Sequence, residues 1–364
     1  MKKTLLFAAL LALVSCTPEN KQSVDQTLKS AYKDYFPIGV ALGGRTMGQP
    51  LCDSLVAAQF SSVTAENYMK PMQIARQEGV YDFAAADKLY DFAAEHGMKM
   101  RGHTLLWHAS TPAWFFAPDA DGNQATKELV LKRLEGYIKK VVGHYKGRVY
   151  CWDVVNEALS DKEGGFLRED SPWNQLFGST EYIEKAFIYA HEADPDALLF
   201  YNDYSVVYPS KQPQVLRLVK ELQAKGVPIH GVGMQAHWDI YNPSCEQVES
   251  TIEKFKELGL QVHITELDLK TNKQQGGGQL VAQDQEFAVY ELTPELEAQQ
   301  SAQYKMLFET FRKHKDVVRS VTFWNLHDGA TWLDERKNNV GRAFPLLFDE
   351  NLQTKEAYDA VVNF

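Results

Sequence analysis

The sequence predicts a (β/α)8 barrel built as one catalytic domain, and three observations lead to it. Short apolar runs recur along the chain and alternate with amphipathic stretches. Several of those runs lack a strict apolar–polar alternation, as strands covered on both faces should. Glycines stand where the amphipathic stretches should stop. A doubly wound open sheet is the alternative, but no G-x-G-x-x-G follows an early strand.

The expected strands are Pro37–Leu42, Ser62–Ala65, Lys99–Leu105, Val149–Val155, Ala197–Tyr201, Gly231–Gln235, Gln261–Thr265 and Ser320–Trp324. Between them, Val215, Leu218, Val219 and Leu222 fall on one helical face. So do Val248, Ile252, Phe255 and Leu258, and again Tyr304, Leu307, Phe308 and Phe311. Gly226 and Gly259 follow two of these helices. The run Gln274-Gln275-Gly276-Gly277-Gly278 reads as a loop after the seventh strand and not as a domain boundary. The connection from Ala109 to Thr126 is too short to hold an inserted domain.

Ahead of the barrel, Lys2 and Lys3 precede an apolar run from Leu5 to Val14, too short for a mature membrane span. It ends in Leu13-Val14-Ser15-Cys16, which resembles a bacterial lipobox. Residues 1–15 therefore read as a lipoprotein signal peptide, Cys16 as the lipidated residue, 16–29 as a tether and 30–364 as the catalytic domain. The expected location is a bacterial membrane, at the cell surface or in the periplasm, held only through that lipid. Cys52, Cys151 and Cys245 form neither a disulfide framework nor a zinc motif, and the spacing leaves open whether any of them pair.

Of the 364 residues 45% are hydrophobic, enough for a full core, and the formal net charge of −10 argues against a nucleic-acid partner, which needs a basic face. Aromatic residues make up 12% of the chain, and flat rings suit both sugar faces and ordinary cores, so the count alone decides nothing. The expected state is a monomer.

Barrel enzymes carry their chemistry at the C-terminal ends of the strands. The fourth strand ends in Trp152-Asp153-Val154-Val155-Asn156-Glu157, and the seventh in His263-Ile264-Thr265-Glu266-Leu267-Asp268. Glu157 and Glu266 can thus face each other across the mouth. Two carboxyl groups over one cavity are the equipment for glycoside hydrolysis: one protonates the leaving oxygen, and the other attacks or stabilises the sugar cation. His103 and His108 could suggest metal ligands, but no H-E-x-x-H or companion carboxylate cluster accompanies them, and no metal is expected.

These two motifs resemble the acid/base and nucleophile motifs of family 10 glycoside hydrolases. Further matches follow in order: Thr-Ala-Glu-Asn-Tyr-Met-Lys at 64–70, Arg-Gly-His-Thr-Leu-Leu-Trp-His at 101–108, Tyr-Asn-Asp-Tyr at 201–204, Gly-Val-Gly-Met-Gln-Ala-His at 231–237 and Leu-Leu-Phe-Asp at 346–349. The resemblance spans roughly residues 30 to 364. It implies a TIM barrel acting as a cofactor-free, retaining endo-β-1,4-xylanase on xylan or xylo-oligosaccharides.

Carried over residue by residue, the resemblance makes Glu157 the acid/base and Glu266 the nucleophile. His237 would hold Glu266, with Asp268 behind it, and Asn156 would bind the sugar 2-hydroxyl. Glu66, Asn67 and Lys70 match the glycone-side set. His103, Trp107 and Gln235 match residues around the cleavage point. Trp324 and Trp332 match the flanking rings, and Tyr204 the aglycone side. The run Asn325-Leu326-His327-Asp328-Gly329 departs from the Gly and Thr that the family more often shows before Asp-Gly, which puts the shape of the cleft in question. Rival readings are a cellulase or mannanase on the same barrel, and a glycan-binding surface lipoprotein without activity. The Glu66, Asn67 and Lys70 set favours xylan, and the presence of both glutamates favours an enzyme.

Overall fold

The computed structural model describes residues 26–162, 164–272, 288–334 and 341–364. Eight parallel strands close into a ring: β1 (Ile38–Leu42), β2 (Ser62–Ala65), β3 (Lys99–Trp107), β4 (Cys151–Asn156), β5 (Leu198–Asp203), β6 (Gly231–Met234), β7 (Gln261–Lys270) and β8 (Val318–Phe323). Sequential neighbours pair all the way round. Gly231 lies against Gln261, which joins β6 to β7, and Ile38 lies against Val321, which joins β1 to β8. Every residue of β1, β2, β4 and β6 is buried, the two-sided burial that the unbroken apolar runs imply.

An outer helix follows each strand: α1 (Pro50–Gln59), α2 (Ala84–Glu95), α3 (Lys127–His144), α4 (Glu181–Ala193), α5 (Gln212–Ala224), α6 (Cys245–Glu257), α7 (Pro294–Lys313) and α8 (Glu356–Val362). Local chemistry starts and stops them. Ser244 and Gln247 form a reciprocal capping box on α6. Thr293 caps α7, with Pro294 in its first position, Glu295 and Glu297 in its first turn and Arg312 and Lys313 in its last. Tyr304, Leu307, Phe308 and Phe311 of α7 are all fully buried against the barrel. A short helix, Leu28–Ala31, starts ahead of the expected domain start at residue 30; the Tyr32 hydroxyl donates to the Val361 carbonyl and ties it to α8.

Three strands run longer than their apolar patterns. β3 reaches Trp107, β5 reaches Asp203 and β7 continues through Glu266 to Lys270. The β7 extension exists because a three-residue strand, His237–Asp239, pairs with it above the ring and sets His237 beside Asp268. Register shifts interrupt the ladders between His103 and Leu106, between Asp153 and Val155, and between Ile264 and Leu267. Such bulges re-aim side chains, and these three sit where the barrel opens. The Gln274–Gly278 loop and Cys16 lie outside the described residues. Cys52, Cys151 and Cys245 are all free thiols, the first two buried.

The loop after β8 is pinned from the C-terminal side. Lys355 donates to Asp328 Oδ2 at 2.9 Å, both side chains almost fully buried, and Asp328 Oδ1 accepts the Leu346 amide at 2.8 Å. Removing one partner of a buried pair strands the other charge. Lys355→Met should therefore cost about 3–5 kcal/mol, read as a lower urea midpoint at unchanged slope. A loss below about 1 kcal/mol would mean the pair is no pin.

Candidate active site

The mouth of the barrel holds a cleft of about 490 Å³. Glu157 and Glu266 both line it, together with Glu66, Asn67, Lys70, His103, Trp107, Asn156, Tyr204, Gln235, His237, Trp324 and Trp332. These side chains come from widely separated segments, and the barrel gathers every one of them. Asp268 stands behind His237. Asp161, which the sequence reading did not single out, also lines the cleft.

Glu266 lies in the extended part of β7 and is only 5% exposed. Its Oε1 accepts Asn202 Nδ2 at 2.8 Å, and its Oε2 meets His237 Nε2 at 3.1 Å. His237 Nδ1 in turn meets Asp268 Oδ2 at 2.8 Å, which also accepts the Trp332 indole N–H at 2.8 Å. Burial opposes a charged His237, but Asp268 and Glu266 outweigh it and carry the imidazole up to about 9. Burial likewise opposes a charged Glu266. The His237 hydrogen bond, the fields of His103 and His237 and the Asn202 bond overcome it and hold the carboxyl below the usual carboxylate range.

Glu157 is half-buried and differently served. Trp107 Nε1 donates to its Oε2 at 2.9 Å and Gln235 Nε2 to its Oε1 at 2.9 Å. A ladder of amides joins the two carboxyl groups. Gln235 Nε2 also donates to Asn156 Oδ1 at 3.3 Å, and Asn202 Nδ2 donates to the same oxygen at 2.8 Å. With its oxygen taken twice, Asn156 keeps its amide N–H groups for the cleft. Asn202 was quoted in a motif but not assigned as a site residue. Its signal was the Tyr-Asn-Asp-Tyr run at a strand end. Thr265 donates to Asn202 Oδ1 at 2.6 Å, and Gly233 leaves it room, since a Cβ there would lie 2.2 Å from that oxygen.

Beside Trp107, Lys70 donates to Asn67 Oδ1 at 2.8 Å and lies 4.9 Å from the Trp107 ring centroid. Burial draws its ammonium below the usual range, while Glu266, Glu66 and Glu157 pull the other way. Glu66 fits its place because Gly43 has no side chain; a Cβ there would meet Glu66 Oε2 at 2.2 Å. His103 is fixed from beneath: its Nδ1 meets Asp153 Oδ2 at 3.0 Å, and Asp153 is paired with Arg101 at 2.7 Å, all buried. Trp332 is oriented by its own amide, which donates to Asn325 Oδ1 at 2.9 Å.

The Tyr204 hydroxyl donates to Asp161 and accepts Arg168 Nη2 at 2.8 Å. Lys211 Nζ lies 4.5 Å from the Tyr204 ring centroid, so that cation competes for the ring. Among the described residues no group of three or more His, Cys, Asp or Glu side chains is arranged to hold a metal ion, and no helix is long and apolar enough to cross a membrane.

The sign of the His237 shift makes a stability prediction. A histidine raised from 6.5 to about 9 stabilises the fold fully below its unfolded value, and that contribution is lost as pH rises through about 9. The displacement is worth on the order of 3 kcal/mol. The stability gap between the parent and His237→Gln in urea should therefore be wide near about pH 6 and shrink by about that amount toward about pH 10. A gap that does not change with pH would show that His237 is not held protonated.

The model of "Glycosyl hydrolase family 10" matches residues 27–364. The chain is 45% identical over 339 residues to a beta-1,4-xylanase of Dictyoglomus thermophilum, covering 93% of this chain and 91% of that one. It is 41% identical over 336 residues to endo-1,4-beta-xylanase B of Paenibacillus barcinonensis, covering 92% and 97%. The crystal structure of an endo-1,4-beta-xylanase from Caldicellulosiruptor owensensis superposes with a TM-score of 0.86 at 38% identity, over 93% of this chain and all of that one. A barrel of this topology, with two glutamates joined by a ladder of amides at its mouth and a family match over nearly its whole length, belongs to glycosyl hydrolase family 10.

Proposed function

We propose that this chain is a retaining endo-β-1,4-xylanase that cleaves internal bonds of xylan. The observation that carries the reading is the unequal treatment of two carboxyl groups in one cleft. Glu266 is buried against a charged imidazole and held ionised, whereas Glu157 is half-exposed and its N–H donors, Trp107 and Gln235, are neutral groups. The named activity of the relatives supports xylan as the substrate.

In the first step a carboxylate oxygen of Glu266 attacks the anomeric carbon. The bond to the leaving oxygen breaks, and the Glu157 proton goes to that oxygen. In the second step water attacks the same carbon, its proton passes to the Glu157 carboxylate, and the ester to Glu266 breaks. Side chains and water balance both steps, so no cofactor is invoked. Retention requires carboxyl groups about 5–5.5 Å apart. Asn156 would take the 2-hydroxyl, Glu66, Asn67 and Lys70 the glycone sugars, Gln235, His103 and Trp107 the sugar at the cleavage point, and Tyr204 the aglycone. Trp324 and Trp332 would flank the bound ring. Product analysis with the anomer followed by NMR tests the reading. Plain xylan should release short oligosaccharides with β anomers formed first, and carboxymethylcellulose and mannan should not be cut. Initial α anomers would refute retention, and sugar binding without new reducing ends would favour a binding protein.

We further propose that the protein is exported and anchored by a lipid on Cys16, on the strength of the basic start, the short apolar run and the lipobox-like tetrapeptide. Cys16→Ala should move the protein from the membrane fraction to the soluble fraction. Unchanged membrane association would refute the anchor.

A further inference from the structure

Glu157 stands on a left-handed backbone, φ +54°, a conformation a side-chain-bearing residue keeps only when its surroundings impose it. Three hydrogen bonds impose it here. The Glu157 amide donates to the Asn202 carbonyl at 3.0 Å, Arg168 Nε donates to the Glu157 carbonyl at 3.0 Å, and the next amide, Ala158, donates to the Tyr201 hydroxyl oxygen at 3.1 Å. The third acceptor is a side chain, and a fully buried one. Tyr201 in turn donates its own O–H to Asp203 Oδ2 at 2.5 Å. Asp203, also fully buried, is fixed by the Tyr204 amide on Oδ1 at 2.9 Å and faced by Lys211 Nζ at 3.5 Å. A phenol that donates to a carboxylate is a stronger acceptor at its oxygen.

Strand alternation explains why these residues share one motif. Asn202 points to Glu266, while Tyr201 and Asp203 point to the other face of β5 and reach the chain just past Glu157. One strand thus serves the nucleophile from one face and the acid from the other. We propose that Tyr201, held by Asp203, is a positioning residue for general-acid catalysis: it clamps the Glu157–Ala158 peptide in the turn that aims the Glu157 carboxyl at the leaving oxygen. The proposal rests on the reading of Glu157 as the acid.

The test compares kcat/KM, which reports the glycosylation step, on two substrates. Xylohexaose has a sugar leaving group that needs a proton; 2,4-dinitrophenyl β-xylobioside has one that departs without help. Tyr201→Phe keeps the ring and removes only the hydroxyl. It should lower kcat/KM on xylohexaose about tenfold and change the aryl substrate less than about twofold. Arg168→Lys keeps a cation beside Asp161 and Tyr204 but loses the Nε clamp on the Glu157 carbonyl. It should show the same selectivity and carries the test if Tyr201→Phe does not fold. Equal losses on both substrates, or no loss on xylohexaose, would overturn the proposal. Glu157→Ala is the reference: equal losses in that variant would mean the acid reading itself is wrong, whereas a selective loss there and none in Tyr201→Phe would sink the clamp alone.

Discussion

A carboxylate taken out of water and asked to stay ionised is the constraint around which the rest of this barrel is arranged. Burial alone would neutralise Glu266. The countermeasure is a second charge beside it, and that charge must itself be held: His237 is buried too, and Asp268 on its far side, together with Glu266, keeps it protonated. Asp268 can do so because β7 continues past the ring and the strand His237–Asp239 pairs with it. To place that strand the chain must break after Gln235, and Ala236 does so at φ +63°. The electrostatics of one side chain thus accounts for an extra strand, a strained residue and the length of β7.

The strain is not spread evenly. Glu157, Ser205, Ala236 and Asn325 all have positive φ, and all lie just past the ends of barrel strands at the mouth. Beneath them the structure is stiff. Arg101 and Asp153 make a fully buried ion pair under His103, and burial drives the neighbouring His263 well below its usual range, so it stays neutral. A rigid floor is what allows a strained rim to hold one conformation.

Much of the barrel was legible because two-sided burial writes itself as unbroken apolar runs and because the helices carry their own caps and stops. Glu157 and Glu266 were legible as a pair: one charge at a strand end is usually a solvated loop residue, but two, each inside a dense polar and aromatic motif, point to a shared site. The pairing of His237–Asp239 was not, since three residues carry no periodicity and their partner lies across a helix in sequence. Asn202 was half-legible: Tyr-Asn-Asp-Tyr stood out as a motif, but alternation sends its members to opposite faces, and only the fold reveals which carboxyl each one serves. Asp161 was hidden for a related reason, because its partners Arg168, Tyr204 and Lys211 meet it only in space.

The departure at Asn325-Leu326-His327 raised the question of whether the cleft keeps its shape on that side. The parts that hold Trp332 answer it. Its indole is fixed by Asp268, its amide by Asn325 Oδ1, and the loop that carries it by the buried Asp328–Lys355 pair. Asn325 tolerates the left-handed backbone there better than most side chains, and its short amide reaches the Trp332 N–H. One of the residues that departs from the common pattern is therefore itself the anchor of the flanking ring. Because that ring also donates to Asp268, the loop and the Glu266–His237–Asp268 chain share a single oxygen atom, and a change that moved the loop would reach Glu266 through His237.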